Sequence, residues 1–211
     1  MYVYPERRLL QGMESEIWKL VSYSAIPQQW KERLRVPLEH AAARGNLNLV
    51  NSLLEAGADG RAGWRGCRGR TLVDAAVLGG SEPVVSALLR AGAQPDVNVV
   101  SVSSKRSALY TATVCGHEDA ARRLVAAGAD VNFRDPVHYC CIPVLHEAIS
   151  GGHTQLVNDL VLVEPDLATL GKYGHTPLHL AAYRGLDRVV FTLFSKVKYT
   201  RMLSILAARR H

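Results

Sequence analysis

His138, Cys140, Cys141 and His146 fall within nine residues, and thiolate with imidazole is the ligand set that zinc prefers. Their spacing matches no closed four-ligand pattern, so the stretch reads as an extended loop, and no metal is expected. Cys115 and His117 flank Gly116 without an orienting carboxylate, which falls short of a nucleophile with its base. Gly60, Gly63, Gly66 and Gly69 are dense enough for a phosphate-cradling loop. They lead into a repeated unit instead of following a strand, so that chemistry is not expected either. The residues predict no catalytic group, no cofactor and no small-molecule substrate: the chain reads as a non-enzyme.

Composition narrows the class. The chain has 211 residues, 48% of them hydrophobic and 21% charged, which suits a globular protein and argues against general disorder. No apolar run approaches the roughly 20 residues of a membrane-spanning helix. Met1 to Gln11 carries two arginines with no apolar stretch behind them, so no secretory signal is expected. The four cysteines show no framework spacing, and reduced thiols in the cytoplasm or nucleus are expected. Net charge is +6.

The elements that position these residues recur along the chain. Five segments share a leucine, an alanine three positions on and a glycine at the seventh: Leu38, Ala41, Gly45; Leu72, Ala75, Gly79; Leu109, Ala112, Gly116; Leu145, Ala148, Gly152; and Leu178, Ala181, Gly185. The leucines step by 34, 37, 36 and 33 residues. A second apolar pattern follows each glycine, as in Leu49-Val50 with Leu53-Leu54, Val84-Val85 with Leu88-Leu89, and Val189-Val190 with Leu193-Phe194. That spacing marks one helical face. Three units close with Ala-Gly-Ala, where glycine permits a left-handed helix end. Each unit therefore reads as two short helices and a loop, and one such hairpin must stack on others to bury its apolar face.

Thr176-Pro177-Leu178-His179-Leu180-Ala181-Ala182 closely resembles the T-P-L-H-x-A signature of ankyrin repeats, and Gly128-Ala129-Asp130-Val131-Asn132 resembles the family's repeat ending. The other signatures have drifted, and Glu164 occupies the usual closing glycine of the fourth unit. The resemblance implies an all-α ankyrin-repeat solenoid of about five repeats with hairpin-like loops, elongated and monomeric. Residues 36–198 are expected to form the array and residues 1–35 a degenerate N-terminal cap. Residues 199–211 form a basic C-terminal tail able to make a capping helix. In this family the signature position (His146, His179) and the position after the turn glycine (His117, His153) stabilise turns and packing between repeats.

The resemblance further implies binding of another protein through loop tips and the exposed side of each first helix. Carried onto this chain, the helix positions are Ala43-Arg44, Val77-Leu78, Val114-Cys115, Ser150-Gly151 and Tyr183-Arg184. In the loops, Trp64, Arg65 and Arg68 combine the residue types enriched at interface hot spots, and a tryptophan merely covering the next repeat is an equal alternative. Asp96 to Ser104, rich in valine and ending in Lys105-Arg106, reads as a β-finger or a plain insertion. Tyr139, Lys172 and Tyr173 complete the candidate set. Two other functions stay open. Glu16 to Tyr23 followed by Trp30 faintly resembles the start of an F-box, which would make the chain the substrate-recognition part of a ubiquitin-ligase receptor. The basic loop and tail would alternatively bind nucleic acid or an anionic membrane.

The last helix pattern, Val189, Val190, Phe191, Leu193, Phe194 and Val197, is more apolar than an exposed end repeat tolerates. The pattern breaks after Val197. Met202 to Ala208 is expected to fold back as an irregular cap, with a docking element for a partner or membrane, or the end of a truncated array, as alternatives.

Overall fold

Short polar residues start four of the described helices. In the computed structural model, which describes residues 34–60, 69–102, 104–134, 142–171 and 173–208, the Thr71 hydroxyl accepts the Asp74 backbone N–H at 3.1 Å. The Asp74 carboxylate in turn accepts the Thr71 N–H at 3.1 Å. This reciprocal cap satisfies two donors that a helix start leaves unpaired. Ser107 and Thr176 cap through their hydroxyls, and Asn46 does so through its side-chain oxygen.

The described residues form ten α-helices arranged as five pairs. These are α1 (Arg35–Ala43) with α2 (Leu47–Glu55), α3 (Leu72–Leu78) with α4 (Glu82–Leu88), α5 (Ala108–Val114) with α6 (Glu118–Ala126), α7 (Val144–Gly151) with α8 (Thr154–Leu162), and α9 (Pro177–Tyr183) with α10 (Asp187–Ala208). The chain divides into two compact units, one ending at Asp96 and the other beginning at Val97. In the first, α1 packs on α3 and α2 on α4. In the second, α5, α7 and α9 pack in succession, as do α6, α8 and α10. Leu38, Leu53, Val84 and Leu88 fill the first core, and Leu109, Leu124, Ile149, Leu156, Leu160 and Leu193 the second. Among the described residues there is no strand, and a single β-bridge joins Arg134 to Pro143.

The turn between paired helices fixes the register. Gly45, Gly80, Gly116, Gly152 and Gly185 all take φ between 66° and 74°, a conformation that side chains with a Cβ resist. In the second pair the left-handed residue is therefore Gly80, and Gly79 has φ −74°. The equivalents of Leu38 and Ala41 are Val73 and Ala76, one residue beyond the Leu72 and Ala75 that the sequence pattern selects. Doubled residues (Leu72-Val73, Ala75-Ala76, Gly79-Gly80) satisfy both alignments, and only the backbone distinguishes them. Gly79 has a separate role: a Cβ there would lie 2.7 Å from the Ala42 carbonyl oxygen and 2.9 Å from that of Ala43.

The second helices also end in left-handed residues: Gly57, Gly92, Gly128 and, in the fourth pair, Glu164 with φ 58°. That helix end forms without its usual glycine. The loops align through amide side chains. Asn98 Oδ1 accepts the Asp130 N–H at 2.7 Å, and Asn132 Oδ1 accepts the Asp166 N–H at 2.8 Å.

Two expectations change. The valine-rich stretch from Asp96 is no β-finger: a short tight helix covers Gln94–Asn98. A turn follows, in which the Lys105 N–H reaches the Ser101 carbonyl (2.8 Å) and the Ser101 N–H reaches that of Arg106 (3.0 Å). The final helix does not break after Val197 and does not fold back within residues 199–208. α10 is continuous for 22 residues, about 33 Å, because no Gly or Pro interrupts Asp187 to Ala208. No described helix is long and apolar enough to cross a membrane.

Candidate interaction surface

One position recurs on the outer side of each first helix, two residues before the left-handed turn glycine. In the first unit it holds Ala43 and Leu78, both exposed. In the second it holds Val114, Ser150 and Tyr183, on α5, α7 and α9 in turn. Buried Ala112, Ala148 and Ala181, two residues earlier, seat the helices against one another, so the outer side chains are carried on a fixed frame. Tyr183 is 84% exposed and Val114 42%. Arg44 and Arg184 stand one residue further on, both exposed at helix ends. The Arg184 guanidinium donates to the Ser150 carbonyl and so ties α9 to α7.

The basic loop residues divide by environment. Lys105 is exposed, with φ 57°. Arg106 is half-buried and lies 5.3 Å from the centre of the Tyr110 ring, a cation–π contact. Tyr110 is itself buried and meets Phe133 edge-on at 6.0 Å. Tyr173 is exposed beside His175. Trp64, Arg65, Arg68, Tyr139 and Lys172, together with the F-box-like stretch, lie outside the described residues.

The histidines act as pins. His146 Nε2 donates to the His175 carbonyl at 2.8 Å, His153 Nδ1 to Glu118 Oε1 at 3.0 Å across adjacent repeats, and His179 Nδ1 bonds the Thr176 hydroxyl at 2.7 Å. Burial holds the His146 ring's pKa below its usual value; the bond to the His175 carbonyl opposes this, and nearby Arg134 and His175 add to the lowering. In the second pair the histidine position is Asp74. Burial pushes this carboxyl up to about 6 against the bonds from Thr71 and the charge of Arg70, while Asp96 pushes it further up. Among the described residues no three His, Cys, Asp or Glu side chains are grouped to hold a metal ion.

Sequence reasoning missed the Arg122 cross-link. Its Nε donates to Asp159 Oδ2 at 2.8 Å, 37 residues away. Opposite charges at neighbouring positions one repeat apart were the signal that could have revealed it.

A family model for ankyrin repeats in three copies matches residues 38–135, and a single ankyrin-repeat model matches residues 173–196. The gap coincides with the unit that has Pro143 for the cap and Glu164 for the closing glycine. The chain is similar to the nuclear factor NF-kappa-B p105 subunit of Gallus gallus, with 25% identity over 192 residues, 90% of this chain and 19% of that protein. It is similar to protein PhlB of Serratia liquefaciens, with 30% identity over 188 residues, 83% of this chain and 79% of PhlB. It also resembles the probable E3 ubiquitin-protein ligase XBOS33 of Oryza sativa subsp. japonica, with 38% identity over 91 residues, 42% of this chain and 17% of that protein. The chain thus spans about a fifth of p105 and less of the ligase, but most of PhlB. With both the repeat geometry and the family match in place, the chain belongs to the ankyrin-repeat family of protein-interaction modules.

Proposed function

We propose that the chain acts without catalysis, as a monomer in the cytoplasm or nucleus, by binding a partner protein along the outer side of its first helices and the adjoining loops. One observation carries this reading: Val114, Ser150 and Tyr183 occupy one repeat position and form a row in which large apolar side chains flank a small one. Such a row offers a partner two apolar anchors, with Arg184 as a cationic neighbour tied to the Ser150 carbonyl. Trp64, Arg65 and Arg68, which lie outside the described residues, are proposed as partner contacts in their own right.

The test is affinity capture with the intact chain, followed by measured affinity for the recovered protein. Val114→Asp with Tyr183→Ala, and separately Trp64→Ala with Arg65→Ala, each weaken binding by more than about 1 kcal/mol at unchanged melting temperature. Unchanged affinity overturns the surface, and a steep loss with salt for an RNA or lipid ligand supports the anionic alternative instead. The likeness to XBOS33 favours a second reading as the substrate-recognition part of a ubiquitin ligase. Ligase subunits co-purifying through residues 1–35, and lost when these are deleted, would support it.

A further inference from the structure

In the second unit α7 packs between α5 and α9, so both of its neighbours are in place. Glu147 stands three residues before Ser150 on this helix, a spacing that puts the two on one side. Thr111 on α5 and Leu180 on α9 hold the same repeat position, three residues before Val114 and Tyr183. Thr111, Glu147 and Leu180 are all half-buried and form a second row beside the first. Glu147 is the single acidic residue of these three helices, and none of the three contains lysine or arginine.

Its carboxylate is unmatched. Among the described residues it accepts no hydrogen bond and forms no ion pair, although partial burial strips a charge of some of its hydration. The cations of the adjoining loops and helix ends are engaged elsewhere. Arg184 donates to the Ser150 carbonyl, Arg106 lies over the Tyr110 ring, and Arg134 donates to the Leu170 carbonyl at 2.9 Å. Lys105, exposed on the loop ahead of α5, makes no ion pair with Glu147. A place in the first turn of α7 gives the acid a small benefit from the helix dipole, one that any exposed acid would share.

We infer that the first-helix surface takes a lysine or arginine, flanked by apolar residues, from the partner protein, and that Glu147 selects it. This rests on the reading of that surface as partner-binding and supplies the partner's chemistry. The cation would pair with the Glu147 carboxylate, while its apolar neighbours pack on Val114, Leu180 and Tyr183. Charge selects this occupant over RNA or an anionic bilayer, whose phosphates Glu147 would repel. An acidic segment is disfavoured in the same way.

The probe is a display library of short random peptides, selected on the full native chain. Selected peptides that Tyr183→Ala weakens are occupants of this surface, and they are expected to share a lysine or arginine beside apolar residues. Glu147→Gln keeps the shape and removes the charge. It should weaken these peptides about tenfold or more, with helicity unchanged. Glu147→Lys should abolish their binding and restore it to peptides remade with glutamate in place of the selected cation. A merely structural role for Glu147 gives no such exchange. Peptides that respond to Tyr183→Ala but show no cation preference, or are indifferent to Glu147→Gln, overturn the inference and leave the surface reading standing. If no selected peptide responds to Tyr183→Ala, the surface reading itself fails and the inference falls with it. A single-stranded RNA held more tightly by Glu147→Gln than by the native chain overturns the inference in favour of an anionic ligand. Self-association that Glu147→Gln abolishes overturns it in favour of a second copy.

Discussion

The buried ring of His146 reaches across to the backbone of His175, its Nε2 donating to the carbonyl at 2.8 Å. The same carbonyl accepts the Gly171 N–H at 2.9 Å, so one side chain on α7 holds the loop that leads into α9. Its Nδ1 is buried with no partner among the described residues, and a proton there would add a buried charge.

His146→Phe removes the donor and should cost about 1–3 kcal/mol. The pH dependence follows from the lowered pKa. The unfolded chain takes this proton near 6.5, the folded chain only at lower pH. The contribution is complete above 6.5 and is lost as pH falls below it. Protection of α7 and residues 173–176 against hydrogen exchange, taken relative to the intrinsic rate at each pH, should fall at pH 5.5 in the native chain. A variant with the same acid sensitivity as the native chain would refute this role.

Asp74 behaves in the opposite sense. Its carboxyl ionises at 3.8 when unfolded and near 6 when folded, a gap worth on the order of 3 kcal/mol. The folded state holds the proton more tightly, so this contribution is complete below pH 3.8 and is lost as pH rises through 6. Asp74→Asn keeps an oxygen for the Thr71 N–H and removes the charge. At pH 7.5 it should protect the α3–α4 amides, with little effect at pH 4.

Gly79→Ala should destabilise the first unit by about 1–3 kcal/mol, because the added carbon would meet two backbone carbonyls of α1 that cannot rotate away. Gly80→Ala should also destabilise, through its φ of 66°. Urea melts separate the two mechanisms. Shortening position 43 cannot rescue Gly79→Ala, since the contacts are to backbone.

Glu164→Gly should stabilise the fourth repeat by about 1 kcal/mol, since glycine adopts φ 58° without the cost a side chain bears. The Lys196 contact that it forfeits is long, at 3.8 Å, and Glu164 is largely exposed, so that loss is small. A lowered melting temperature would show that the ion pair matters more than the backbone.

Helix pairing, repeat number and all but one of the turn glycines follow from the sequence alone, because each depends on residues close together in the chain. The outward position on the first helices follows in part: Leu78, Val114 and Tyr183 stand exposed, but Val77, expected beside Leu78, is buried because the left-handed glycine is Gly80. Tertiary structure decided the rest. Gly79 and Gly80 are locally interchangeable, and only the carbonyls of Ala42 and Ala43 on the preceding repeat distinguish them. The bond from His146 to His175 spans 29 residues, beyond any local pattern. The charge of Asp74 looks like a surface feature until burial raises its pKa. Phe194 follows the apolar spacing of the buried Val161, yet it stands open, because burial belongs to the neighbour that covers a side chain and not to the side chain itself.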